Sequence, residues 1–504
     1  MDVAYTLRRL RRQPTYAALT VLTLALGVAG TAAVYAVAER LLWEPLPVPA
    51  DEEVALFWAG GSWTPQEFLY LRPQLEGFQS VAAFWRTDVT FRSGDAPARA
   101  VDALSTSAEL LRVLGVSPVM GPGFRPGDDS PESGRVAVLS HAVWQELGGD
   151  PSIIGQRIEF SGAAHTVVGV MPAGFWFPDP AVGVWLSASL NPEDAVMNYQ
   201  IIGRLPAGTR IEAMAPHVER ITALLGDRFT YREQWDKTQG AELTPLRDHL
   251  VGQLRPALQA LLGAMVLLLL IACVNVAALM LGQVDSRGTE LAVRSALGAA
   301  RPRLLRQLAV EAIVIGMLAG LVGTALAIPG FQFLVSALPL GALAETATVD
   351  GSLLWVAIGI AVLAATAVAM VPALSVSGGD LRGQLVRNGT RGVVGRGGRL
   401  EGGLVVGQVA LVLLMAAGAA LLIRSVANLR AIDAGVETAG VGVIDVVTPF
   451  TVAPEDRRRM LREALAAVDG LSGVGSAAAT QRLPLRGGGN NWGIRVEQRP
   501  ELEA

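Results

Sequence analysis

The chain has 504 residues, of which 51% are hydrophobic and only 17% charged, with a formal net charge of −4. Soluble domains carry about 25% charged residues, so this composition excludes an ordinary soluble protein, and the small net charge argues against a nucleic-acid partner. Cys273 is the one cysteine; it can form no internal disulfide and has no metal-binding neighbours in sequence.

The first element is an apolar run with no charge between Arg12 and Glu39, preceded by Arg8, Arg9, Arg11 and Arg12. A bilayer-spanning helix needs about 20 such residues. The run exceeds the apolar core of about 7–15 residues found in cleaved leaders, so it reads as a retained anchor. Residues 40–255 follow, long enough to bury a core of their own. Within them "TPQEF" reads as a helix start, with Thr64 as N-cap, Pro65 as first helical residue and Glu67 as the returning acceptor. "VALFW" and "SVAAFW" on either side of it, and "RVAVLS" and "HTVVGVMP" further on, read as strands. "HAVWQELGG" suits a short helix ending at Gly148, and "GFWFPDP" a loop packed on the core. The mixture predicts an α+β domain.

Four more segments are apolar enough to span: 256–284, 312–344, 351–379 and 402–423. Arginines set the orientation. Arg287, Arg294, Arg301, Arg303 and Arg306 lie between spans two and three, and Arg382, Arg387, Arg391, Arg396 and Arg399 between spans four and five. "PLGALAETATVDG", between spans three and four, has no Lys or Arg. These loops predict a cytoplasmic N-terminus, cytoplasmic Arg-rich loops, and residues 40–255 outside together with the tail beyond Arg424.

"ELAVRSALGAARPRLLRQL", from Glu290, is a short amphipathic helix in pattern: Val293, Ala296, Leu297 and Ala300 share a face, and Glu290 and Arg294 form an i,i+4 pair. It reads either as a passive interfacial helix or as a docking helix for a cytoplasmic partner. Inside the spans, Asn275 and the Gly316/Gly320 pair of "GMLAG" read as interhelical packing positions. The tail repeats the opening of the outer domain: "VGVIDVV" (441–447) as strand, 455–468 as helix, "VGSAAAT" (474–480) as strand. A second copy of the unit therefore begins at span five. A complete copy would need about 300 further residues, so the sequence reads as a fragment or a truncated product.

Catalytic patterns are absent from the sequence. His141, His165, His217 and His249 are scattered, and the acidic residues read as solvated faces. A P-loop needs Gly-Lys-Ser/Thr, yet Lys237 is the one lysine and Asp236 precedes it. No enzyme activity, cofactor or metal is expected, and ATP hydrolysis would require a partner.

The segment "LLIACVNVAALMLGQVDSRGTELAVRSALGAARPRLLRQLAVEA" resembles the hallmark of the MacB/FtsX-like ABC transporter permeases. "LRVLGVSPVMGPGF", "RVAVLSHAVWQELGGDPSIIGQRIEF" and "HTVVGVMPAGFWFP" resemble that family's periplasmic core domain, and "LSGVGSAAATQRLPLRGGGNNW" the start of a second one. The nearest likeness is to duplicated permeases with two such halves. The resemblance implies an N-terminal segment and span one over 1–39, a periplasmic core domain over 40–255, an FtsX-like permease domain over 256–379, an Arg/Gly-rich cytoplasmic linker over 380–401, span five over 402–424 and an incomplete second core domain over 425–504. It further implies a cytoplasmic ABC ATPase partner, with Glu290, Val293, Arg294 and Leu297 on the coupling helix. Membrane lipids, and a periplasmic adaptor or outer-membrane channel, complete the implied partners, in a bacterial inner membrane. Glu44 departs from the basic residue such sequences often carry after span one. The function implied is export or extrusion of an unspecified substrate. The alternatives are a non-transporting regulator of the FtsX type or an inactive truncated permease.

Overall fold

A computed structural model describes residues 6–480 apart from 7, 9, 59–60, 92–98, 195–198, 232, 234–235, 286–300, 339, 341–342, 347–348, 350, 379–395, 433–439, 445 and 447–452. Five helices among them are long and apolar enough to cross a membrane: Pro14–Trp43, Arg255–Gln283, Arg306–Ala337, Ser352–Val371 and Gly402–Leu429. In hydrocarbon every backbone N–H and C=O must be satisfied within the segment, and a helix does this.

Helix α1 (Pro14–Ala38) starts with Pro at its first position, where no intrahelical donor is required. It closes in a π-helical turn, Glu39–Trp43. Glu44 is already extended (ψ 138°), as expected of the residue before Pro45, where the proline ring disfavours helix.

The outer domain is built on one nine-stranded sheet with the order β3-β7-β4-β6-β5-β2-β8-β1-β9. Its members are β1 (Val54–Trp58), β2 (Ser80–Phe91), β3 (Arg99–Thr106), β4 (Val136–Leu139), β5 (Arg157–Phe160), β6 (Ala163–Val170), β7 (Val182–Ser187), β8 (Gln200–Arg204) and β9 (Glu242–Pro245). β3–β7 and β4–β6 are parallel, and the other pairs antiparallel. β2 is long enough for two jobs. Its first half pairs with β8 and its second half with β3, so the strands from β3 to β2 curl back on themselves. β8, β1 and β9 continue the sheet beyond β2 as antiparallel neighbours.

Helices cover both faces, so neighbouring residues along a strand feed different cores. Phe57, Val81, Ala83 and Ile201 pack with Phe68 and Leu71 of α2 (Pro65–Leu71) and Val218 and Ile221 of α5 (Ala215–Ala223). Leu56, Ala82, Phe84 and Ile202 pack with Leu110 and Leu114 of α3 (Leu110–Leu114) and Leu246 of α6 (Leu246–Val251). The capping box at Thr64 and Glu67 is formed. α4 (His141–Glu146) is capped by Ser140, and Gly148 lies in the left-handed region just beyond it. Phe175 and Phe177 of the "GFWFPDP" loop are buried in the second core.

The remaining helices are α7 (Arg255–Asp285), α8 (Arg301–Ala337), α9 (Leu343–Thr346), α10 (Ser352–Gly378), α11 (Arg396–Ala431) and α12 (Pro454–Asp469). α1, α7, α8 and α10 share one apolar core. α11 lies along α7 with residues such as Val406 and Leu413 exposed, as on a lipid-facing span. In the tail the helix forms as expected, but the described residues of 441–446 and 474–480 are not strand. A strand exists only through ladder hydrogen bonds, and neither segment has a ladder partner among the described residues.

Close approach in the bundle depends on missing side chains. A Cβ added to Gly320 would sit 2.8 Å from the Ile358 Cα of α10, and one on Gly316 2.9 Å from the Val362 Cα. Both obstacles are backbone and cannot yield. Gly320→Val should therefore lower stability in detergent by about 1–3 kcal/mol through overpacking. Gly359→Ala, which meets nothing within 4 Å, should leave the melting curve unchanged.

Candidate functional site

Among the described residues, two polar clusters of the outer domain bear on its core and on its attachment to the spans. The first is a buried cluster behind α2. Lys237 Nζ donates to Glu67 Oε2 at 2.7 Å and Oε1 at 3.0 Å, and also to the Ser62 carbonyl. It lies 5.2 Å from the centre of the Trp63 ring. Tyr231 donates to Glu67 Oε1 at 2.7 Å. Burial first, and then this bond to a carboxylate, push the Tyr231 hydroxyl well above its usual pKa. Glu67 thus serves twice, as capping-box acceptor for the Thr64 N–H (2.8 Å) and as counter-ion of the chain's one lysine. With Glu67 4% exposed and Asp129 5% exposed beside Arg72, the expectation that all acidic residues are solvated is corrected. Each of the two is buried because a cation comes with it.

The second lies at the junction between spans and sheet. The chain leaves α1 through "EPLPVPADEE", in which Pro45, Pro47 and Pro49 favour an extended, stiff backbone. It returns through β9 and α6 into α7. Arg247 of α6 reaches across: Nη1 donates to the Leu42 carbonyl at 3.0 Å and the Glu44 carbonyl at 2.9 Å, Nε to Asp51 Oδ2 at 3.1 Å, and Nη2 to Asp51 Oδ1 at 3.3 Å. Arg204 of β8, 7% exposed, holds the other end. Its Nη2 donates to the Pro49 carbonyl at 2.9 Å and its Nε to the Val113 carbonyl, at the end of α3, at 2.7 Å; Nη1 lies 3.3 Å from Glu53 Oε2. Carbonyls in a proline run have no ladder to join, and two guanidinium groups supply their donors. One side of this connector opens on a cleft of about 760 Å³, with Pro172–Phe175 among its walls.

Of the residues singled out in the spans, Gly316 and Gly320 both face α10, whereas Asn275 is half-buried on α7 and contributes none of the atoms nearest to either glycine. Glu290, Val293, Arg294 and Leu297 lie outside the described residues. No group of three or more His, Cys, Asp or Glu suited to a metal occurs among the described residues. Sequence reasoning missed both polar sites. The one signal it offered was a lone lysine in an arginine-rich chain.

Residues 17–221 match the family model of the MacB-like periplasmic core domain, and residues 262–381 that of the FtsX-like permease C-terminal domain. A curated relative, the macrolide export ATP-binding/permease protein MacB of Bdellovibrio bacteriovorus, is 27% identical over 232 residues. That match takes in 44% of this chain and 34% of the relative, so the chain spans about a third of the relative's length. Among solved structures, the periplasmic region of MacB from Actinobacillus actinomycetemcomitans aligns over 42% of this chain and 97% of its own, at 12% identity and TM-score 0.32. The extracellular domain of the noncanonic ABC-type transporter YknZ from Gram-positive bacteria aligns over 38% and 99%, at 13% identity and TM-score 0.29.

The buried cluster yields a stability prediction. Glu67→Gln leaves the Lys237 charge without its partner and should destabilise the outer domain by about 3–5 kcal/mol. The double variant Glu67→Gln with Lys237→Met should recover much of that loss. Thermal unfolding followed by circular dichroism measures both; equal losses in the single and double variants would contradict the assignment.

Proposed function

From the MacB-like periplasmic core and FtsX-like permease domains that place this chain in the MacB/FtsX-like permease family, we propose that it is the permease subunit of an ABC-type export or extrusion system, driven by a separate cytoplasmic ATPase. The chain itself is the moving part. One observation carries this reading: β1, fed by span one, and β9, which leads into span two, are hydrogen-bonded neighbours, with Leu56 opposite Thr244. Two spans thus enter the outer sheet side by side, and a tilt of either reaches the strands directly.

The ATPase is a different chain in this reading. Lys237, the one lysine, is buried against Glu67 and is preceded by Asp236, so it serves structure and not phosphate binding. The arginine distribution supports a cytoplasmic N-terminus and a cytoplasmic loop over 282–306, in which residues 290–300 would supply the docking helix through Val293 and Leu297.

Two measurements test the proposal. With Cys273 replaced, a cysteine introduced by Thr289→Cys should resist an impermeant thiol reagent added to intact cells; labelling from outside would overturn the orientation. In the second, Val293→Asp with Leu297→Asp would bury two charges at the docking contact, at a cost of several kcal/mol. ATPase co-purification and stimulated turnover, normalised to inserted permease, should fall at least tenfold. Unchanged values would rule out docking through this face.

A further inference from the structure

The geometry points to Arg247 as a positioning residue: a strut that fixes the outer domain on the two spans that carry it. The inference rests on the reading that span motion is passed to the outer sheet.

Three observations converge on it. First, α6 belongs to both halves of the molecule. Leu246 is buried in the core under the sheet, Val251 is buried in the core of the helix bundle, and Leu250 packs against both. Arg247 therefore projects from the one turn of helix that joins the two cores. Second, its partners lie on the other crossing. The Leu42 carbonyl lies in the last turn of span one and the Glu44 carbonyl just beyond it, and Asp51 stands at the entry to β1. One guanidinium thus grips the connector at both ends, while its own backbone leads into span two. Third, packing alone does not hold the connector. Of residues 44–53 only Val48 is buried, and several of the rest line the open cleft. Prolines stiffen this segment along its length but do not set its angle to the sheet. Hydrogen bonds from Arg247, with Arg204 at the sheet end, set that angle.

Lysine cannot substitute. Its single ammonium cannot meet a carboxylate with two parallel N–H donors and reach two carbonyls as well. Asp51→Asn is a subtler break, because it keeps the guanidinium and both carbonyl contacts but removes the charge that orients them.

The test uses the full chain in lipid nanodiscs, with no nucleotide and no partner, so its result does not depend on whether an ATPase docks at residues 290–300. With Cys273→Ala, spin labels are placed through Leu22→Cys on span one and Glu132→Cys on the outer domain, both exposed positions. Double electron–electron resonance then reads the distance distribution between span and domain. Arg247→Ala and Arg247→Lys should each broaden it at least twofold, while the thermal transition of the outer domain stays where it was. Broadening accompanied by a lowered transition would overturn the inference, since Arg247 would then be holding the domain's fold and not its placement. An unchanged width would overturn it too. Should the Arg247 variants fail to insert, Asp51→Asn decides: broadening at an unchanged transition supports the strut, and an unchanged width refutes it.

Discussion

Two hydrophobic cores that share no strand and no long helix are joined through one turn of α6. Leu246 anchors that turn under the sheet, Val251 anchors it in the helix bundle, and Leu250 touches both. Apolar contact of this kind is non-directional: it holds the turn in place without fixing how the domain is tilted on the spans. Direction comes from the hydrogen bonds of Arg247 to the Leu42 and Glu44 carbonyls and to Asp51. A guanidinium suits this role because its donors form a planar fork that can meet a carboxylate and backbone carbonyls at once.

The membrane and outer halves solve the same packing problem by opposite means. In water the outer sheet gains from burying large apolar side chains on both faces, and Trp63, Trp185, Phe68 and Phe177 are all nearly or fully inaccessible. In lipid such burial yields little, because the surroundings are as apolar as the side chains. Close backbone approach replaces it. Gly316 and Gly320 admit α10, while Gly27 and Gly30 admit Leu269 and Met265 of α7, and Thr31 adds a hydrogen bond to the Met265 carbonyl at 3.2 Å. Alanine is accordingly the commonest residue in the bundle core, whereas the buried aromatic residues are concentrated in the cores around the sheet.

What the sequence made legible was local. Hydropathy and arginine spacing gave the five spans, the Thr64–Glu67 spacing gave the capping box, and ordered motifs gave the family and the outer core domain. The hidden features all depend on distant partners. Lys237 meets Glu67 across 170 positions, and Arg247 meets Leu42 across 205; no periodicity encodes such pairs. Nor does local pattern reveal that β2 serves β8 with one half and β3 with the other. The tail shows the converse. "VGVIDVV" has the composition of a strand, but composition creates no ladder partner, and its described residues remain irregular.

The braces also determine what kind of motion the junction can carry. Spans one and two are in close contact inside the membrane at Gly27 and Gly30, and they are bound again outside it through Arg247 and through the β1–β9 ladder. Two rods fastened at both levels resist sliding past one another, because each slip would break backbone or guanidinium hydrogen bonds in a setting that offers poor replacements. Rotation of the pair as a unit breaks none of them. In the proposed reading, a displacement at the ends of these helices remote from the sheet would therefore reach it as a tilt of the whole outer domain. The open cleft along residues 45–52 leaves the connector side of the domain room to follow it.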